Sequence, residues 1–340
     1  MTKPTVTFPL IVAATFGAAL PALAAEELNL YSARHYDTDE RLYSDFTKAT
    51  GITINRIEGK ADELLTRMKA EGANSPADIL ITVDTSRLKR AKDAGVLQSV
   101  DSDILEAAVP ANLQDSDNQW FGVSQRARII FYDKAAVANP PATYADLADP
   151  AYKGMVCIRS SSNTYNQTLL ASIVEHEGEE AAKAWAQGVV DNMARAPQGG
   201  DTDQLRGIVS GECAIAVSNT YYFARAIRTD VDGVSADIER IGWIFPDQDG
   251  NGAHVNLSGA GIAKHAPNRD NAVKFMEYLV SKQAQSYFAD GNDEYPVVAG
   301  FKGNAAVQKL GEFKADEVDL SAVATKLPVA LEIFNQVGWE

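Results

Sequence analysis

Cysteine is nearly absent from this chain, with two in 340 residues, so neither a disulfide-dense scaffold nor a thiolate zinc cluster is available to it. Histidine is scarce as well: His35, His176, His254 and His265 are the four, scattered too widely for a metal-ligand spacing of their own. Lys and Arg number 31 against 46 Asp and Glu, and the formal charge of −15 argues against a nucleic-acid partner. Beyond the N-terminus no apolar run reaches the roughly 18 residues of a membrane helix. No period of about 20–50 residues repeats, which excludes solenoids and propellers. There is no G-x-S-x-G, no Walker loop, no G-x-G-x-x-G after a strand and no H-E-x-x-H, so the common enzyme signatures are missing. What is present is length for two domains and 46% hydrophobic residues against 23% charged, enough to bury sizeable cores.

Residues 1–25 read as a signal peptide. Lys3 is the positive end, Phe8–Leu20 is an apolar run of 13, and Ala22-Leu23-Ala24 is a small-x-small cleavage site, with cleavage near Ala24. Removing the segment takes away only one charge, that of Lys3. The mature chain is therefore expected to be soluble, exported to the periplasm and acidic. In an oxidising compartment Cys157 and Cys213 would bridge; two buried free thiols are the alternative.

Strand and helix signals alternate through the first half: Leu28–Ser32, a helix opened by a capping box at Asp37-Thr38-Asp39-Glu40, a strand at 52–57, a helix ending near Gly72, the apolar strand Asp78–Val83 and a helix closing at Gly95. A long extended stretch follows around Trp120–Asp133. A second block alternates from Met155–Ile158 through helices at Thr164–Glu175 and Glu179–Asn192, a helix capped by Asp201, and a strand at Cys213–Val217. The pattern predicts an α/β protein of two lobes joined by crossing hinge strands rather than one large sheet. The lobes are expected at 26–120 plus 247–300 and at 121–246 plus 301–340, with the ligand cleft between them. Asp247-Gln248-Asp249-Gly250-Asn251-Gly252 imitates the start of a calcium loop, but its twelfth position is Ser258, so a turn is expected. Gly199–Gln204 resembles a phosphate cradle, yet its two acidic residues would repel an anion and Asp201 reads as an N-cap. His176 is expected at the surface and His254 at a strand boundary.

Four of the 12 tyrosines stand at strand-to-helix junctions. Tyr36 lies in Arg34-His35-Tyr36-Asp37, Tyr165 follows Ser160-Ser161-Ser162-Asn163-Thr164, and Tyr221 and Tyr222 follow Ser218-Asn219-Thr220. Adjacent helical positions diverge by about 100°, so Tyr221 and Tyr222 can converge only at such a junction. A phenol titrates near 10 and as a neutral group is a hydrogen-bonding wall. A hard, highly charged cation drives its deprotonation, and helix N-termini favour the phenolate. Ferric iron suits such a ligand. Any one of these tyrosines alone reads as core or rim; their joint placement carries the metal reading.

On these residues the chain resembles the periplasmic iron-binding proteins of bacterial iron(III) ABC transporters, the FutA/FbpA type and most closely FutA. The likeness runs over nearly the whole mature chain. It is carried by Arg34–Asp39, Arg159–Gln167 and Ser218–Tyr222, and also by Ala77–Asp84, Pro197–Gln204 and Phe245–Gly250. It implies a bilobal periplasmic-binding-protein fold of type II, a Venus flytrap, with iron held in the cleft. Tyr36 would come from the N-terminal lobe and Tyr165, Tyr221 and Tyr222 from the C-terminal lobe; His35 is either a further ligand or turned away. Arg126 and Arg225 would stand beside the site, with Arg128 competing for the first role. Fe3+ with four phenolates leaves one negative charge and Fe2+ leaves two, and arginine would offset either. The implied function is a monomeric substrate-binding protein that carries iron, as Fe3+ or also Fe2+, to an inner-membrane permease and catalyses nothing. The alternatives are the same fold binding an organic cation or oxyanion, and an exported metal-dependent enzyme.

Overall fold

The computed structural model describes Met1, Glu26–Arg34, Tyr36 and Thr38–Glu340. The signal-peptide segment, His35 and Asp37 therefore lie outside the described residues.

The strands are β1 (Glu27–Ser32), β2 (Thr53–Glu58), β3 (Ile79–Val83), β4 (Phe121–Asp133), β5 (Val156–Cys157), β6 (Ile215–Asn219), β7 (Ile241–Ile244) and β8 (Val255–Ile262). The first helices are α1 (Asp39–Thr50), α2 (Ala61–Glu71), α3 (Thr85–Asp93) and α4 (Asp103–Ala108). Then come α5 (Thr164–Glu177), α6 (Glu179–Asp191), α7 (Asp201–Ser210) and α8 (Thr220–Arg228). The last are α9 (Arg269–Leu279), α10 (Lys282–Asn292), α11 (Ala305–Leu310), α12 (Leu320–Thr325) and α13 (Leu327–Val337).

β1 pairs in parallel with β2 and β3, and β5 with β6, as βαβ crossovers require. β8 lies antiparallel between β3 and β4, and every one of its residues is buried. The strands form one hydrogen-bonded path, β2-β1-β3-β8-β4-β6-β5, with β7 on β4. The sequence pattern favoured separate strand sets, and β4 is the reason they connect. At 13 residues it is long enough to pair with β8 through Phe121–Ala127 and with β6 from Arg128 onward. β4 and β8 are thus the crossing strands between two α/β halves.

One apolar core runs beneath α1, α9 and α10, where Phe46 and Phe275 meet edge to face at 4.9 Å. It continues along β4 to Phe131 and Phe223. A second core lies under α5, α6 and α13 and holds Trp185, Phe334 and Trp339. Burying one such aromatic stabilises by about 1.5–3 kcal/mol.

Several local expectations are corrected. α1 begins at Asp39 with Thr38 as its N-cap, but the Thr38 hydroxyl donates to Asn292 (2.6 Å) rather than capping the helix. Asp201 is the first helical residue of α7 and not its N-cap; Gly200 is the cap, and its N–H donates to Asp203 at 2.6 Å. Its neighbours in space draw the Asp201 carboxylate away from the helix end. His176 is exposed at the end of α5, as expected, and its ring is paired with Asp316 at 2.8 Å, on a segment 140 residues away. His254 is 2% exposed, since β8 is central. The Asp247–Gly252 segment is the expected turn, with Gly250 and Gly252 both donating to the Asp247 carbonyl at 2.9 Å.

Cys157 and Cys213 form a disulfide, with Cα atoms 5.8 Å apart. It lies against α7 at Gly207, where a Cβ would meet Cys213 Sγ at 2.6 Å and Cys157 Sγ at 3.2 Å. The bridge can sit flush on that helix only because Gly207 has no side chain.

Candidate functional site

Three helix starts meet at one buried node. Arg128, on β4 and 2% exposed, donates through Nη1 to Asp201 (2.9 Å) and Asn219 (3.0 Å), and through Nη2 to Asn166 (2.6 Å). Arg159 donates to the other Asp201 oxygen at 2.6 Å, and the Asn219 N–H donates to Asp201 at 3.1 Å. Asn166 in turn donates to the Arg159 carbonyl at 2.6 Å. These bonds hold the N-termini of α5, α7 and α8 against one another. The chain end reinforces them: the Trp339 indole donates to the Arg159 carbonyl (3.0 Å), and the Ser161 N–H donates to the Glu340 carbonyl (3.0 Å).

The consequence is where the tyrosines point. Tyr165 is the second residue of α5, and Tyr221 and Tyr222 are the second and third of α8. The phenol oxygens of Tyr165 and Tyr221 are 3.1 Å apart. The Tyr221 and Tyr222 rings lie against each other at 4.2 Å between centroids, tilted by 31°. Tyr36 approaches from the opposite half, its ring 4.8 Å from the Arg34 guanidinium.

All four belong to one electrostatic cluster. Burial pushes the Tyr221 phenol well up, and the phenols of Tyr165, Tyr222 and Tyr36 add to this. Tyr222 is raised by burial and by Tyr165 and Asp201. Tyr36 is raised by burial, by Glu294 and by Tyr165, against the pull of Arg34 and Arg126. At neutral pH Tyr36, Tyr221 and Tyr222 are therefore protonated phenols, and an added cation would be needed to convert them to phenolates.

Buried arginines and carboxylates surround these phenols. Arg34 is 2% exposed and donates to Asp39 (3.0 Å), to Glu294 (3.3 Å) and to Ser258 (2.6 Å). Arg126, equally buried, donates to Ser258 at 3.0 Å and lies 3.5 Å from Glu294. Its Nε has no partner among the described residues. Burial would lower the Arg126 pKa, but Glu294 and the phenols of Tyr165, Tyr221 and Tyr36 raise it overall. Arg225 stands 5.8 Å from the Tyr221 ring and 3.9 Å from Asp293. Arg128 belongs to the helix-start node rather than to the Arg126 cluster.

The structure thus brings together Tyr36, Tyr165, Tyr221 and Tyr222, with Arg126 and Arg225 beside them; His35 lies outside the described residues. Among the described residues no three His, Cys, Asp or Glu side chains come together as a metal-binding group. Sequence reasoning missed Arg34, Arg159 and Asp201 as site builders although they stand inside the motifs it used. Glu294 gave no signal, since its partner Arg34 is 260 residues away.

Residues 74–314 match the bacterial extracellular solute-binding protein family. The chain belongs to that family. This solute-binding protein is 52% identical to iron uptake protein A1 of Synechocystis, over 93% of this chain and 88% of that protein. It is 27% identical to the major ferric iron-binding protein of Neisseria meningitidis, over 96% of this chain and 97% of that one. The solved structure of Trichodesmium IdiA (FutA) in complex with iron and citrate ligands matches it with a TM-score of 0.89 at 48% identity, covering 92% of this chain and 100% of that one. Likeness to these periplasmic iron-binding proteins places the solute-binding protein in the type II binding-protein fold.

Proposed function

We infer that this solute-binding protein captures iron for an ABC transporter, holding Fe3+ through the phenolates of Tyr36, Tyr165, Tyr221 and Tyr222. The observation that carries the reading is the meeting of four phenols from two halves of the fold, with Tyr165 and Tyr221 oxygens 3.1 Å apart. Hard trivalent iron favours phenolate oxygen. Arg34, Arg126, Arg128 and Arg159 face Asp39, Glu294 and Asp201 in the surrounding ion pairs. That is one guanidinium more than carboxylates, and it offsets the single negative charge that Fe3+ and four phenolates leave. Fe2+ would leave a second, toward which Arg225 is the further guanidinium beside the phenols; replacing Arg126 and Arg225 should change redox preference or affinity. His35 is a further ligand or stays outside the set.

The lobes run over 26–120 plus 247–300 and over 121–246 plus 301–340, and closure about β4 and β8 brings Tyr36 onto the other three. The permease then recognises the closed, loaded form. The protein acts as a monomer in the periplasm after its signal peptide is removed near Ala24, binds no nucleic acid and catalyses no reaction. Metal content and the visible spectrum, taken before and after a reductant, test the reading. Iron near one per chain with a phenolate-to-metal charge-transfer band that bleaches on reduction is expected. Neither iron nor colour after addition of ferric citrate would overturn it and favour an organic cation or oxyanion as cargo.

A further inference from the structure

A cavity of about 320 Å³ opens between the end of α5, the start of α6 and the Asp247–Gly252 turn, and none of the four site tyrosines lines it. Its volume falls within the roughly 300–1,000 Å³ of small-molecule pockets. Short side chains leave that space, Ala145 and Ala148 on one wall and Ala181 and Ala184 on α6. The two walls close behind them at Gly188, where a Cβ would meet that of Ala148 at 2.6 Å. The Trp185 indole donates to the Tyr144 carbonyl at 2.6 Å. The Tyr144 hydroxyl donates to the Arg128 carbonyl on β4 (2.5 Å) and accepts from the His254 N–H, just before β8, at 3.0 Å. This apolar wall is therefore held by the crossing strands.

The polar rim is acidic and holds no lysine or arginine. Asp316 is committed to His176 at 2.8 Å. The Asp247 carboxylate accepts only from the Tyr144 N–H, at 3.3 Å, and neither it nor Glu177 has an ion pair among the described residues. Glu177 is also the last residue of α5, whose C-terminal end adds negative potential. Burial raises the Asp247 pKa, and Asp146, Glu177 and Asp316 add to this against the bond from Tyr144. We propose that this cavity binds a small aliphatic diamine, its two ammonium groups on Asp247 and Glu177 and its methylenes against the alanine walls and Trp185. A bare metal ion would leave those apolar walls uncovered, and a neutral molecule would leave two carboxylates without a counter-charge. The inference concerns a site lined by other residues than the iron cleft and does not rest on the iron reading.

The test titrates 1,4-diaminobutane into the full mature chain by calorimetry, with 1,4-butanediol as the uncharged probe and Mg2+ as the inorganic one. One diamine per chain is expected, bound more weakly as salt rises, with no binding of the diol and no displacement by equimolar Mg2+. The double variant Asp247→Asn, Glu177→Gln should lose affinity for the diamine by at least about tenfold. Ala184→Leu fills the cavity while keeping every charge, and because Ala184 is exposed on α6 this variant keeps the fold; it should abolish binding. Absence of diamine binding, binding of the diol at equal strength, or diamine binding that survives Ala184→Leu overturns the proposal. Displacement by equimolar Mg2+ overturns it as well, since it would reveal only charge screening at an acidic surface.

Discussion

Tyr165 and Tyr221, whose phenol oxygens are 3.1 Å apart, are separated by 56 residues, and so are Cys157 and Cys213, which form the disulfide. Both pairs join the same two strand-to-helix units. β5 and β6 lie side by side in parallel register, with Cys157 opposite Ala216; the bridge ties the last residue of β5 to the segment just before β6, and beyond each strand a helix carries a tyrosine at its second position. Crosslink and phenol pair are two ends of one construction.

Removing one phenol oxygen tests the ligand set with little harm to the fold. Tyr221→Phe and Tyr222→Phe each keep the ring that packs at 4.2 Å, and the lost hydrogen bond is worth about 1 kcal/mol. Iron affinity should fall at least 100-fold in each, with a weakened charge-transfer band and a melting temperature within a few degrees of wild type. Visible titration against a competing chelator, paired with thermal melts, decides it; tight binding retained in both variants would count against the tyrosinate site.

The disulfide should matter to stability more than to the metal. In the chain-entropy model, closing its loop is worth about 4 kcal/mol. Denaturant unfolding of the Cys157→Ser, Cys213→Ser protein should show a loss of that order, with the iron-bound spectrum retained. Gly207→Ala should destabilise only while the bridge is intact, because the clash is with the two sulfurs.

Glu294 serves two opposing ends. It is the buried counter-charge of Arg34 and Arg126, so Glu294→Gln leaves a cation without its partner and should cost about 3–5 kcal/mol of stability. The same carboxylate raises the Tyr36 pKa. Its neutralisation should therefore ease phenolate formation and lower the pH at which iron is released. Thermal melts and a pH titration of the loaded band should move in those two directions.

His254 gives a pH dependence independent of the metal. Burial, the largest cause, holds its pKa down at about 4, against an ordinary value of about 6.5. Above that value both folded and unfolded chains carry it neutral. As pH falls from about 6.5 to 4 the unfolded chain takes up a proton that the folded one refuses, so stability declines by about 3 kcal/mol across that window. Neither ring nitrogen has a partner among the described residues, so His254→Leu should be tolerated and should flatten that part of the stability curve in urea unfolding between pH 4 and 7.

Much of the fold was legible in order along the chain. The βαβ alternation of the first half, the long extended stretch that became β4 and the paired strand-helix units of the second half all carry local periodicity and turn chemistry. The four tyrosines were legible because each stands at a strand-to-helix junction, Tyr36 just ahead of the helix start and Tyr165, Tyr221 and Tyr222 after runs of capping residues. What local pattern could not carry were the partners of buried charge. Asp201 looked like a cap and is instead an ion-pair hub. Glu294 gave no signal, and His254 looked like a strand-boundary residue.

The sequence by itself determined which residues stand at the starts of helices, since capping and periodicity act over a few neighbouring positions. It also determined the acidity of the chain, which is a sum over residues and needs no geometry. Only the tertiary structure decided that three helix starts share Arg128 and Asp201, that Glu294 faces Arg34 and Arg126, and that Tyr36 enters the electrostatic surroundings of Tyr165 and Tyr221. Those outcomes depend on pairing strands and burying charges far apart along the chain. A buried charge needs its counter-charge within a few ångströms, and only the fold brings such distant residues that close.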